Sequence, residues 1–155
     1  TRVSKLDEGL YDAIILASAG LKRLGLADRI RHSLSAEISL PAVGQGALGL
    51  ECRSNDSALL KLIEPLQHQE TSNCVRAERA FNAYLEGGCQ VPIAGYATLR
   101  NDQIQIEGRV GSVDGKVILK AQRVGAIEQA EQLGEQLAQD LLAQGAGDLL
   151  KALHE

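Results

Sequence analysis

Apolar and polar positions follow two different patterns along this chain, and the change falls near Glu64-Pro65. Beyond it, Cys74, Ala77, Phe81, Tyr84 and Leu85 recur at the i, i+3, i+7 spacing of one helical face, with Arg76, Glu78, Arg79 and Asn82 elsewhere around it. Gly87-Gly88 is expected to stop that helix. Three strands are predicted next, over 92–99, 103–110 and 116–122, separated by the tight-turn pairs Asn101-Asp102 and Asp114-Gly115. Their short connections imply an antiparallel meander. Ala130, Leu133, Leu137 and Leu141 mark a second amphipathic helix ending near Gly145, and a short last helix is expected over 148–153. A three-stranded sheet has one face to bury, and these helices can cover it.

The earlier part reads differently. Tyr11 to Ala17 is a short apolar run of the kind shown by buried parallel strands. Residues 27–34 are predicted to form a short helix with Asp28 in its first turn, and Gly-rich Leu40 to Gly46 opens another candidate strand, Ala47 to Cys52. A helix over 56–64 completes the segment. The fold class implied is an α/β fragment followed by an α+β domain, a three-stranded antiparallel sheet covered by helices. The first part reads as pieces of a parallel sheet without their neighbours, whereas the second is complete in itself. Together with the absence of Met, this leads us to expect a piece of a longer protein.

Composition narrows the functional classes. With 45% apolar and 23% charged residues and only three Pro, the chain is globular. Its net charge of −4 argues against a general nucleic-acid surface. No apolar run approaches membrane-spanning length, and Thr1 to Lys5 lack the order of a signal peptide, so no membrane association and a cytoplasmic location are expected. Three Cys without CxxC spacing and three His do not make a disulfide framework or a zinc site, and no metal is expected. His32, His68 and His154 match no triad spacing.

Cys89 follows two glycines, which let a bulky group approach the main chain. Read from these residues alone, it is either an exposed, reachable thiol or a small buried hydrophobe at a helix end. Cys52 and Cys74 fall on apolar elements and are expected to pack. Arg2 and Arg23, taken by themselves, read as solvated surface charges. Arg79, on the helix before Cys89, is either a further ligand or half of a surface ion pair. Gln45, between Gly44 and Gly46, is either cleft-facing or a hinge residue.

Glu86-Gly87-Gly88-Cys89-Gln90-Val91-Pro92-Ile93 resembles the cofactor-attachment motif of the porphobilinogen deaminases, also called hydroxymethylbilane synthases. Tyr11 to Ala17 with Gly20-Leu21-Lys22-Arg23-Leu24-Gly25 is similar to a second family segment, and Leu40 to Ala47 to a third. Their order and spacing cover essentially the whole chain. The resemblance implies a transferase of haem and tetrapyrrole biosynthesis, which condenses four porphobilinogen molecules head to tail, with loss of ammonia, onto a dipyrromethane primer. Cys89 is then the thioether anchor, because soft sulfur suits the electrophilic carbon left by ammonia loss. Arg2 and Arg23 match positions that hold pyrrole carboxylates, for which Arg forks are suited, with Gly20 adding a backbone N–H. A helix C-terminus and Glu86 both oppose a thiolate, so compensation by nearby Arg or by the missing part of the protein is expected.

The resemblance also implies domain limits. Residues 1–43 would end a second α/β domain of periplasmic-binding-protein-like type, 44–64 would be a return segment of the first, and 65–155 the C-terminal α+β domain. The family's catalytic Asp lies in the N-terminal domain, so no catalytic residue is assigned here and the chain alone is expected to be inactive. Only were it active would Glu51, Asp56 or Glu86 become the candidate acid. The complete enzyme is expected to be monomeric. Two rival readings are a non-enzymatic ligand-binding module on the same α/β fold and a stand-alone interaction domain at 65–155.

Overall fold

The computed structural model describes residues 2–87 and 91–152. They fall into two compact units, 1–35 and 36–155.

The larger unit is organised by an antiparallel meander of β1 (Ile93–Arg100), β2 (Gln103–Gly111) and β3 (Ile118–Ala126) in spatial order β1-β2-β3. The β1–β2 connection needs only Asn101 and Asp102, both left-handed (φ 50° and 59°), as a two-residue hairpin demands. The Asp114-Gly115 connection is wider, closed by the Ser112 N–H donating to the Val117 carbonyl at 2.9 Å. That displaces the third strand from the predicted 116–122. Its limits follow the partner strand, whose register runs from Gln103↔Ala126 to Gly111↔Ile118.

Alternation along β2 buries Ile104, Ile106, Gly108 and Val110 on one face. Two helices cover that face, α4 (Gln69–Tyr84) over β1 and β2 and α5 (Ala130–Ala143) over β2 and β3, packed against each other. Phe81, Leu137 and Leu141 are wholly buried between them and the sheet. The Phe81 ring lies against the cross-strand pair Gly95 and Gly108, where an added Cβ would come within 2.9 Å and 2.7 Å of it. Tyr84, expected on the same face, is 43% exposed and instead accepts a hydrogen bond from Gln139. Position 84 has rotated past the sheet contact. α6 (Ala146–Lys151) begins after Gly145, whose φ of 100° turns the chain, and so starts two residues before the expectation.

Ahead of this module, α3 (Ser57–Ile63) is capped by the Asp56 carboxylate, which accepts from the Leu59 N–H at 3.0 Å. His68 caps α4 in the same way, through Thr71 N–H. The predicted strand at 47–52 does not form: these residues pair with no strand among the described residues, and Leu48 is 93% exposed.

The smaller unit holds α1 (Arg2–Asp7), α2 (Ser18–Arg23) and a single 3-10 turn at Ala27–Arg29. The turn replaces the helix expected over 27–34, and Asp28 does lie in it. Arg29 closes the unit through an ion pair with Asp7. Residues 11–17, read as a parallel strand, have no strand partner among the described residues, and Ile15 is 78% exposed. The reason is common to both missing strands. A parallel strand is defined by neighbours across a crossover, and apolar content cannot replace them. None of residues 2–35 is buried. Among the described residues, no helix is long and apolar enough to cross a membrane.

Candidate functional site

The chain is tightly pinned on both sides of residues 88–90. As α4 ends, Glu86 takes a left-handed φ of 52° and the Gly87 N–H returns to the Asn82 carbonyl at 2.9 Å. The Asn82 side chain donates to the Gly87 carbonyl at 3.0 Å. A Cβ at Gly87 would stand 2.3 Å from Asn82 Oδ1, so a side chain there would displace the Asn82 amide and its bond to the Gly87 carbonyl. On the far side, the Gly111 N–H donates to the Pro92 carbonyl at 2.9 Å. Glu86 and Val91 line a depression of about 320 Å³ with Tyr84, Leu85, Leu142, Leu150 and Lys151. Cys89 itself lies outside the described residues.

The two other thiols have different surroundings. Cys74 is buried on α4, and burial pushes its thiol pKa up, with the nearby Glu78 and Glu70 carboxylates adding to the effect. Cys52 is half-buried. A buried thiol with a raised pKa is a poor nucleophile, in keeping with the packing role expected of Cys74.

Arg2 starts α1 and Arg23 ends α2; both are exposed and form no ion pair among the described residues. Gly20 lies three residues before Arg23 on α2, hence on the same side of that helix. The Gly20 N–H donates to the Ala17 carbonyl at 3.1 Å. All three belong to residues 1–35. Arg79 is exposed without an ion pair among the described residues, while its neighbour Arg76 pairs with Glu131 at 3.3 Å. Among the described residues, no cluster of His, Cys, Asp and Glu could hold a metal.

A second recess, of about 310 Å³, is bounded by the turn Gly44-Gln45-Gly46 and by Thr71, Cys74, Glu78, Tyr96 and Thr98. Gln45 is exposed at its rim. Beneath it the buried Glu78 carboxylate accepts the Gly44 N–H on one oxygen at 2.7 Å and the Ala97 N–H on the other at 2.8 Å. Ala97 is on edge strand β1, whose outward N–H groups have no strand to pair with among the described residues. Burial raises the Glu78 pKa, and the two N–H donors pull against that rise. The sequence reading put Glu78 off the apolar face. Its i, i+4 spacing from Cys74 and i, i+3 spacing to Phe81 is the signal that a carboxylate interrupts the buried stripe.

The remaining polar anchor is Arg109 on the opposite face of the sheet. It pairs with Glu107 at 2.7 Å and donates to the carbonyls of Ala36 and Glu37 at 3.1 and 3.2 Å.

Two family models match this chain. Residues 1–61 match that described as "Porphobilinogen deaminase, dipyromethane cofactor binding domain", and residues 72–143 match "Porphobilinogen deaminase, C-terminal domain". Between them they leave only a short connection and the C-terminal end unmatched. With both domains matched in this order and the three-stranded sheet and its helices lying in the second, the chain belongs to the porphobilinogen deaminase family.

Proposed function

We propose that this chain serves a hydroxymethylbilane synthase, the transferase that condenses four porphobilinogen molecules head to tail, with loss of ammonia, onto a Cys-linked dipyrromethane. The observation that carries the reading is the ordered match of both domains of one family. When bound, the dipyrromethane supplies the pyrrole terminus on which the chain of rings is extended. Cys89 is the anchor through a thioether, a role for which the buried Cys74 is unsuited.

The side chains present suit such a group. Pyrroles bearing acetate and propionate need cationic forks, and Arg2 and Arg23 are exposed with no carboxylate of their own among the described residues. The Gly20 N–H would serve such a group only as a shared donor, since it already reaches the Ala17 carbonyl at 3.1 Å. Asp56 is engaged as a helix cap, which leaves it poorly suited to act as a catalytic acid. The carboxylate that stabilises cationic pyrroles is therefore proposed to come from an N-terminal domain outside this sequence, making the chain inactive alone.

In the complete enzyme, we assign residues 1–43 and 44–64 to two α/β domains of periplasmic-binding-protein-like type, where added strands would pair the unpartnered segments. Residues 65–155 form the C-terminal domain. A cytoplasmic monomer is the proposed state.

Intact mass and peptide mapping of the complete enzyme after incubation with porphobilinogen test the anchor. A dipyrromethane adduct on the Cys89 peptide alone is the expected result. An adduct on the Cys52 or Cys74 peptide, or no adduct on any, would overturn the assignment.

A further inference from the structure

Residues 36–46 form no helix or strand and yet belong to the same compact unit as the sheet. Ordering such a stretch costs conformational entropy that no internal hydrogen-bond ladder offsets, so it must be held from outside. The holding groups stand at its two ends. Arg109, kept in place by Glu107, takes the carbonyls of Ala36 and Glu37. Glu78 takes the N–H of Gly44 and, with its other oxygen, that of Ala97. Between the ends, Leu40 is buried and Val43 packs against the core beside Gly95. The boundary between the two units falls at Ser35–Ala36, where the Arg109 clasp begins.

We infer that Glu78 and Arg109 are positioning residues that hold residues 36–46 as a strap against the C-terminal domain, so that the Gly44-Gln45-Gly46 turn, where the two α/β segments meet, is fixed by contacts from that domain. The inference touches the proposed function only in naming what the turn would serve: Gln45 is presented at the rim of the recess by a segment fixed from below. The choice of side chains fits the task. A carboxylate offers a separate acceptor oxygen to each of two converging N–H groups, whereas an amide in the same pose would turn its NH2 toward one of them. An Arg fork can hold a carboxylate and two carbonyls at once, which Lys cannot.

Hydrogen exchange on the 155-residue chain, read peptide by peptide, tests this without reference to any pyrrole. Glu78→Gln is expected to speed exchange at Gly44 to Gly46 by about tenfold or more while Ile104, Ile106 and Leu137 keep their protection. Arg109→Met, on the other face of the sheet, is expected to loosen the Ala36 end with the same core protection retained, and Arg109→Lys to restore it only in part. Unchanged exchange over 36–46 in both Glu78→Gln and Arg109→Met would overturn the proposal. So would loss of protection in strap and core together in Arg109→Met, since the strap would then have no separate attachment. A dipyrromethane found on another thiol would sink the anchor assignment and leave this result standing.

Discussion

The carboxylate of the buried Glu78 lies 2.7 Å from the backbone nitrogen of Gly44, thirty-four positions earlier in the chain. Desolvation opposes its charge, and the N–H groups of Gly44 and Ala97 favour it; the balance leaves its pKa above the ordinary glutamate value. A raised pKa means that the folded state binds this proton more tightly than the unfolded state. Its contribution to stability is therefore full below the ordinary glutamate pKa and is lost as pH rises through the raised one. Denaturant unfolding of the native chain and of Glu78→Gln across that window should show the variant's deficit shrinking as pH rises. A deficit that grows with pH would mean that the two N–H bonds outweigh desolvation.

Phe81 and Tyr84 are one turn apart on the same predicted stripe, but only Phe81 is enclosed, resting on the Gly95–Gly108 pair. Phe81→Ala should cost about 3–5 kcal/mol, the range for emptying a large aromatic site. Tyr84→Ala should cost under about 1 kcal/mol, as for surface positions. Equal losses in urea titrations would mean that the two rings are equally buried.

Gly134 lets α5 meet α4 closely, since a Cβ there would stand 2.2 Å from the Ala77 carbonyl oxygen and 2.8 Å from the Phe81 nitrogen. Alanine is the better helix former by about 1 kcal/mol, so an isolated helix would gain from Gly134→Ala. Here the obstacle is backbone, which moves only if the helices separate. The expected net result is a loss of about 1–3 kcal/mol, read as a lower thermal midpoint. A raised midpoint would show that helix propensity prevails over the contact.

Arg23 is exposed and without an ion-pair partner among the described residues, so it should matter little to folding. In the complete enzyme, Arg23→Leu is expected to leave the thermal midpoint nearly unchanged while slowing elongation about tenfold or more, the effect of losing a charge-assisted hydrogen bond of about 1.5–3 kcal/mol. Wild-type turnover in the variant would return Arg23 to a surface charge.

The periods of hydrophobicity alone placed α4, α5 and the three-strand meander, and the residues around Cys89 carried the family. Those features are local: a helix or hairpin with a buried face writes its period into its own residues, and a family motif is a run of adjacent residues. What only the tertiary structure decided was non-local. Tyr11 to Ala17 and Ala47 to Cys52 have strand composition but no strand partners among the described residues, because pairing is made with other segments. The end of β3 came from its register with β2. Glu78 and Arg109 look like surface charges in sequence, yet one is buried under the Gly44 turn and the other clasps the carbonyls of Ala36 and Glu37. Their partners are backbone groups far away in the chain, and every residue has such groups. No side-chain pattern marks which N–H or carbonyl a buried charge will meet, and only the folded chain brings them together.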